Sequence, residues 1–123
     1  MAKDDYDYIV FKILTYLYGC LKRKNIFDKK VFRDSIVTQE VQEEYLTDIL
    51  RMMTRENLIE GLYFTKVWGN TYILISNLSD MQITSEGIHY VLDNNKMRKI
   101  KDKVLESTPG AIFELVKLVL TSN

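Results

Sequence analysis

The sequence predicts a mainly helical α+β fold with one small antiparallel β-hairpin, and three observations carry that expectation. A helical run from Gln39 to Asn57 leads directly into Leu58 to Val67, which has strand composition. Trp68-Gly69-Asn70 can turn, and Thr71 to Ile75 can return as a second strand. After a linker, Ile83 to Leu92 starts another helix. Helix, hairpin and helix in this order form the core of a winged helix-turn-helix. Residues 1–93 are expected to make that domain, with a two- or three-stranded sheet, and residues 94–123 to add a C-terminal helical tail for dimerisation or docking.

The first helix is expected over residues 5–24. Ile9, Ile13, Leu17 and Leu21 recur every four residues, with Val10 and Leu14 beside them, so one broad face is apolar. Asp4, Asp5 and Asp7 at its start and Lys22, Arg23 and Lys24 at its end suit the helix dipole. Asp28 is an N-cap candidate for a short second helix through about Asp34, with Val31 and Phe32 as its apolar pair. Ser35 to Thr38 reads as a turn, and Thr38 is the expected N-cap of the third helix. Val41, Tyr45, Leu46, Ile49, Leu50 and Met53 make that helix's inward stripe, while Gln39, Gln42, Glu43, Thr47, Arg51 and Thr54 face outward.

In the hairpin, Leu62, Phe64, Tyr72 and Leu74 fall on one face at period two and are expected to point inward. Asn77 to Asp80 is a loop, and Thr84 caps the fourth helix. Asp93-Asn94-Asn95 interrupts it, and a basic run follows from Lys96 to Lys103. Ser107-Thr108-Pro109 supplies a cap and a proline for a last helix, in which Ala111 to Leu120 is apolar on nearly every side.

Composition sets limits on function. Seventeen basic residues balance seventeen acidic ones, so no global field draws the chain to nucleic acid or an anionic membrane. The apolar-rich run near the C-terminus covers 10 residues and carries Glu114 and Lys117, against about 20 for a bilayer span. Cys20 is the single cysteine and the N-terminal residues lack an apolar signal core, which points to a cytoplasmic protein without disulfides. One histidine, His89, has no second His or Cys at ligand spacing, and the glycines are isolated. No catalytic residue, metal site or cofactor is expected.

Two motifs carry a family resemblance: Asn57-Leu58-Ile59-Glu60-Gly61 at the end of the third helix, and Ile83-Thr84-Ser85-Glu86-Gly87-Ile88-His89-Tyr90-Val91 after the hairpin. The second resembles the Leu-Thr-x-x-Gly-x-x-Tyr-Leu opening of the helix after the wing in MarR-like and PadR-like regulators. More closely, from about Tyr6 to Leu92, the chain resembles the YjcQ family, small winged-helix proteins of Gram-positive bacteria and their prophages. The resemblance implies a fold and no settled activity, and the tail after Asn94 lies outside it.

Two functions follow as expectations. The first is a small DNA-binding transcriptional regulator of bacterial or phage origin. In such a fold the third helix enters the major groove. Gln39, Gln42 and Arg51 would then meet bases, Lys29, Lys30 and Arg33 phosphates, and Lys66, Trp68 and Asn70 would contact double-stranded DNA from the wing. A second basic patch, Lys96 to Lys103, could also hold phosphates. Against this, residues 38–57 carry Glu40, Glu43, Glu44, Asp48 and Glu56 with only Arg51 and Arg55 to offset them. An acidic helix is repelled by duplex DNA. The second function is therefore a protein-interaction module on the same scaffold. The apolar last helix must be covered, either by folding back on the first helix or by pairing with its copy. Pairing is the expectation, in a homodimer held by Ile112, Phe113, Leu115, Val116 and Val119.

Overall fold

The computed structural model describes residues 5–37, 41–106 and 110–121. α1 (Asp5–Leu21) is the spine of the molecule. Ile9, Val10, Phe11, Ile13, Leu14, Thr15, Tyr16 and Leu17 are all buried, so this helix is enclosed on every side rather than along one face. It ends at Leu21, three residues before the expected boundary. Arg23 turns left-handed at φ 61°, and the Lys24 and Arg23 amides donate to the carbonyls of Gly19 and Cys20 at 2.9 and 3.1 Å. That pair of bonds is a Schellman cap, which satisfies carbonyls the helix itself leaves open. Leu21 is left exposed by the same turn.

α2 (Lys29–Ile36) starts where the sequence places it, with Asp28 accepting from the Val31 amide at 3.0 Å. It runs two residues beyond Asp34. Its apolar pair is Phe32 and Ile36, four apart on one face, while Val31 points to solvent. Tyr16, Phe27 and Phe32 stack with centroids 5.4–5.6 Å apart, locking α2 onto α1. α3 (Glu43–Arg55) begins later than Gln39, with Gln42 at its N-cap position and no side-chain cap bond. Thr38 and Gln39 lie outside the described residues, as do Ser107, Thr108 and Pro109 with the cap expected there. Leu46, Ile49, Leu50 and Met53 are the buried stripe of α3. A second Schellman cap closes it at left-handed Asn57, with Leu58 donating to Met53 and tucked into the core.

The strand expected over Leu58–Val67 is broken in two. β1 (Ile59–Glu60) pairs antiparallel with β4 (Gln82–Ile83), Ile59 opposite Ile83. Gly61 at φ 97° then turns the chain, its α-carbon so close to the Asp80 carbonyl that a Cβ would sit 2.1 Å from that oxygen. The hairpin proper is β2 (Phe64–Lys66) with β3 (Tyr72–Leu74), registered Thr65 to Ile73. The result is two separate two-stranded sheets. Ile83, expected to open a helix, is instead a strand residue.

Thr84 caps α4 (Ser85–Asp93): its hydroxyl accepts from the Gly87 amide at 2.9 Å and donates to the Asn57 carbonyl at 2.6 Å. Asn94 interrupts and then caps α5 (Asn95–Glu106), its Oδ1 accepting from Lys96 and Met97. Met97, Ile100 and Val104 of α5 face the core. α6 (Ala111–Val116) continues as a π-helical turn, Lys117–Thr121. Together they pack on α1 and α5.

This last contact revises the expected dimer interface. Val116 and Val119 are buried inside the chain, and Ile112, Phe113 and Leu115 are partly buried against the same core. Lys22, just past the end of α1, donates a hydrogen bond to the Val119 carbonyl at 2.8 Å. The fold-back places Val116 and Val119, two of the five residues expected to hold a homodimer, in the monomer core. Val116→Ala combined with Val119→Ala should therefore lower unfolding free energy by about 2–5 kcal/mol. That loss should be independent of protein concentration, as denaturant titration at two concentrations will check.

Four tyrosines set a pH dependence. Burial, first of all, raises the hydroxyl pKa values of Tyr6, Tyr8, Tyr16 and Tyr90, with Tyr6 pushed up to about 12. In the unfolded chain these groups ionise near 10. The native state then holds protons that the unfolded state has released, so stability is intact below pH 10 and falls as pH rises toward 12. Denaturation curves at pH 9 and pH 11 should show this decline, and Tyr6→Phe should reduce it.

Candidate functional site

The hairpin leans on α3 through its inner face. Phe64 and Leu74 are half-buried there. The Arg51 guanidinium lies over the Tyr72 ring, 4.0 Å from the centroid. The Arg51 Nε is buried without a hydrogen-bond partner among the described residues. Arg51 thus holds α3 to the hairpin by a cation–π contact and is turned away from the outward position expected of a base-reading residue.

The other predicted nucleic-acid residues divide in two. Lys30 pairs with Asp34 at 2.6 Å, and Arg33 bonds to Glu43 of α3. Lys29 and Arg33 line a cleft of about 350 Å³ between α2, α3 and β3, and Glu43 and Glu44 line it with them. Gln42, Lys66, Trp68 and Asn70 are exposed, the last three near the far end of the hairpin. Gln39 lies outside the described residues. The fold brings Lys29 and Arg33 together, but beside two carboxylates, and it leaves Lys66 apart from both. The basic run of α5 faces away from Met97, Ile100 and Val104, with Lys96 3.8 Å from Asp7.

The hairpin's outer face was missed by the sequence reading. Ladder register puts Tyr63, Thr65, Val67, Thr71, Ile73 and Ile75 on it. Tyr63 is 68% exposed, Ile75 62%, Val67 47% and Ile73 46%, and Trp68 at the tip reaches 85%. No side chain on that face is charged at neutral pH. Singly scattered exposed apolar residues are ordinary, whereas these share one face of a single hairpin.

Burial raises the Cys20 thiol pKa, although its hydrogen bond from Asn25, 3.2 Å, acts the other way. Among the described residues no group of three or more His, Cys, Asp or Glu could hold a metal ion, and no helix is long and apolar enough to cross a membrane.

A helix-turn-helix-like α2–α3 pair, a hairpin directly after it and a Thr-capped helix after the hairpin give the chain a winged-helix-like architecture. The family model described as "YjcQ protein" matches residues 11–106, well over half of the chain, and the chain belongs to that family. The match runs past Asn94 to the end of α5, beyond the Leu92 limit of the resemblance read from the sequence. No curated protein and no solved structure matches the chain.

If Arg51 secures the hairpin, Arg51→Met should release it while leaving the helical core intact. A cation–π contact of this kind is worth roughly 0.5–2 kcal/mol. Faster amide exchange at Thr65 and Ile73, with unchanged exchange in α1, is the expected outcome.

Proposed function

We propose that this chain is a non-catalytic protein-interaction module built on a winged-helix scaffold, which engages its partner through the hairpin. The observation that carries this reading is the hairpin's outer face, where Tyr63, Val67, Ile73 and Ile75 stand exposed beside Trp68 with no charge among them. Protein interfaces are enriched in aromatic residues and depleted of charge at their centre, which is this composition. The groups that would hold DNA support that use poorly. Arg33 and Lys30 are paired with carboxylates, Arg51 is stacked on Tyr72, and the first turn of α3 presents Glu43 and Glu44.

The second reading is the small DNA-binding regulator of bacterial or phage origin. It is favoured by the α2–α3–hairpin order and by the exposed Lys29, Lys66 and Gln42. It relies on the analogy of fold more than on the site.

Fluorescence anisotropy with a random 20-base-pair duplex, at 50 and 200 mM salt, separates the two. The interaction-module reading expects no saturable binding at low micromolar protein. Binding with a steep salt slope, equivalent to about three or more phosphate contacts, would overturn it. A photo-crosslinking residue at position 75 or 68 should give a discrete protein adduct in expressing cells, and the same residue at Lys103 should not.

A further inference from the structure

We propose that the cleft beside β3 receives an extended, uncharged peptide segment of a partner protein, which pairs with the open edge of that strand. This rests on the reading of the hairpin as a protein-binding element and adds the docking mode and the kind of segment.

The ladder itself shows which backbone groups are free. The Ile75 amide donates to the Tyr63 carbonyl and the Val67 amide to the Thr71 carbonyl, both at 2.9 Å. In an antiparallel pair hydrogen-bonded and non-hydrogen-bonded pairs alternate. Thr65–Ile73 is therefore a bonded pair, while Phe64–Leu74 and Lys66–Tyr72 direct their N–H and C=O groups outward. Among the described residues no hydrogen bond meets the outward backbone groups of Tyr72 and Leu74. β1 and β4, which could have extended this sheet, pair with each other instead.

The cleft identifies the edge that is used. It is lined by Thr71, Tyr72, Ile73 and Leu74 in succession. Side chains alternate across a strand, so four consecutive lining residues mean that the strand meets the cleft along its edge. Across from it, the buried Leu46 and Leu50 back an apolar wall. Among the described lining residues the rim is balanced, Lys29 and Arg33 against Glu43 and Glu44. A phosphate backbone would meet two carboxylates there, and a strongly charged peptide of either sign would gain nothing net. An uncharged segment with apolar side chains at alternate positions matches both wall and rim. Thr71 to Ile75 holds no proline and no charge, the devices that protein edges use to refuse a strand. Main-chain pairing then supplies affinity and the wall supplies selectivity.

The probe is an acetylated, amidated heptapeptide, Thr-Val-Ser-Val-Thr-Val-Ser, titrated into isotope-labelled full-length protein. Binding should shift the amide signals of Tyr72 and Leu74 and slow their hydrogen exchange at least tenfold. The same peptide N-methylated at alternate amides should do neither. Thr47→Trp, which fills the cleft from the exposed side of α3, should abolish the effect. An absence of shifts, or equal shifts from the N-methylated peptide, overturns strand addition. Shifts confined to Tyr63 and Ile75 also overturn it, yet leave the outer-face reading standing, which the crosslink at position 75 tests separately. A concentration-dependent dimer that protects Tyr72 and Leu74 without peptide would assign the edge to a second copy and overturn the proposal as well.

Discussion

The enclosure of α1 is the constraint from which the rest of the structure follows. A helix buried on every side needs neighbours all round it, and α2, α3, α4, α5, β4 and α6 with its π-turn all pack on it. Each large apolar side chain it hides contributes roughly 1.5–3 kcal/mol from burial, so leaving one side open would be costly in a domain of this size. The C-terminal elements therefore act as the last wall of a core whose other walls come from the helix-turn-helix and α4. The elements of residues 5–93 alone would leave α1 without the contacts that α5 and α6 supply. That requirement gives a physical reason for a family model that reaches through α5.

Enclosure of α1 leaves the hairpin as an outlying element. β2 and β3 form a sheet of their own, and an isolated two-stranded hairpin is marginal in water. Its inner face is held by Phe64, Leu74 and the Arg51–Tyr72 contact, and its outer face by nothing within the described chain. The position of the hairpin consequently follows that of α3. α3 in turn is fixed by the Schellman cap at Asn57 and by the Arg33–Glu43 bond to α2. The same residues that a DNA-binding reading assigns to phosphates and bases are thus engaged in setting the width of the cleft.

Much of this was legible in the sequence, and what was not has identifiable causes. Helix existence, the Asp28 and Thr84 caps, the Asn94 break and the hairpin turn are local signals, and each is visible within a few residues. Asn57 is a residue that tolerates the left-handed conformation, whereas nothing in Arg23 announces one, so the end of α1 was placed too late. The β1–β4 pair joins two-residue strands about twenty residues apart, and period-two patterning has no purchase on strands that short. Arg33–Glu43 spans a connection between helices, so the pairing of a predicted phosphate contact with a carboxylate is a tertiary event. The apolar last helix told that cover was needed without telling which surface supplied it.

The outer face of the hairpin is a different kind of miss, because its signal was present. Assigning Phe64 and Tyr72 inward by alternation places Tyr63, Val67, Ile73 and Ile75 outward by the same rule. A hairpin with apolar residues at both parities is expected of a strand covered on two faces. Here one face meets α3 and no described element reaches the other. A solvated wing that only grips a phosphate backbone would gain from lysine or threonine at those positions and would have no use for isoleucine. The excess of apolar area on the second face, together with an unpaired edge above the cleft, is the surface that the proposed polypeptide partner would cover.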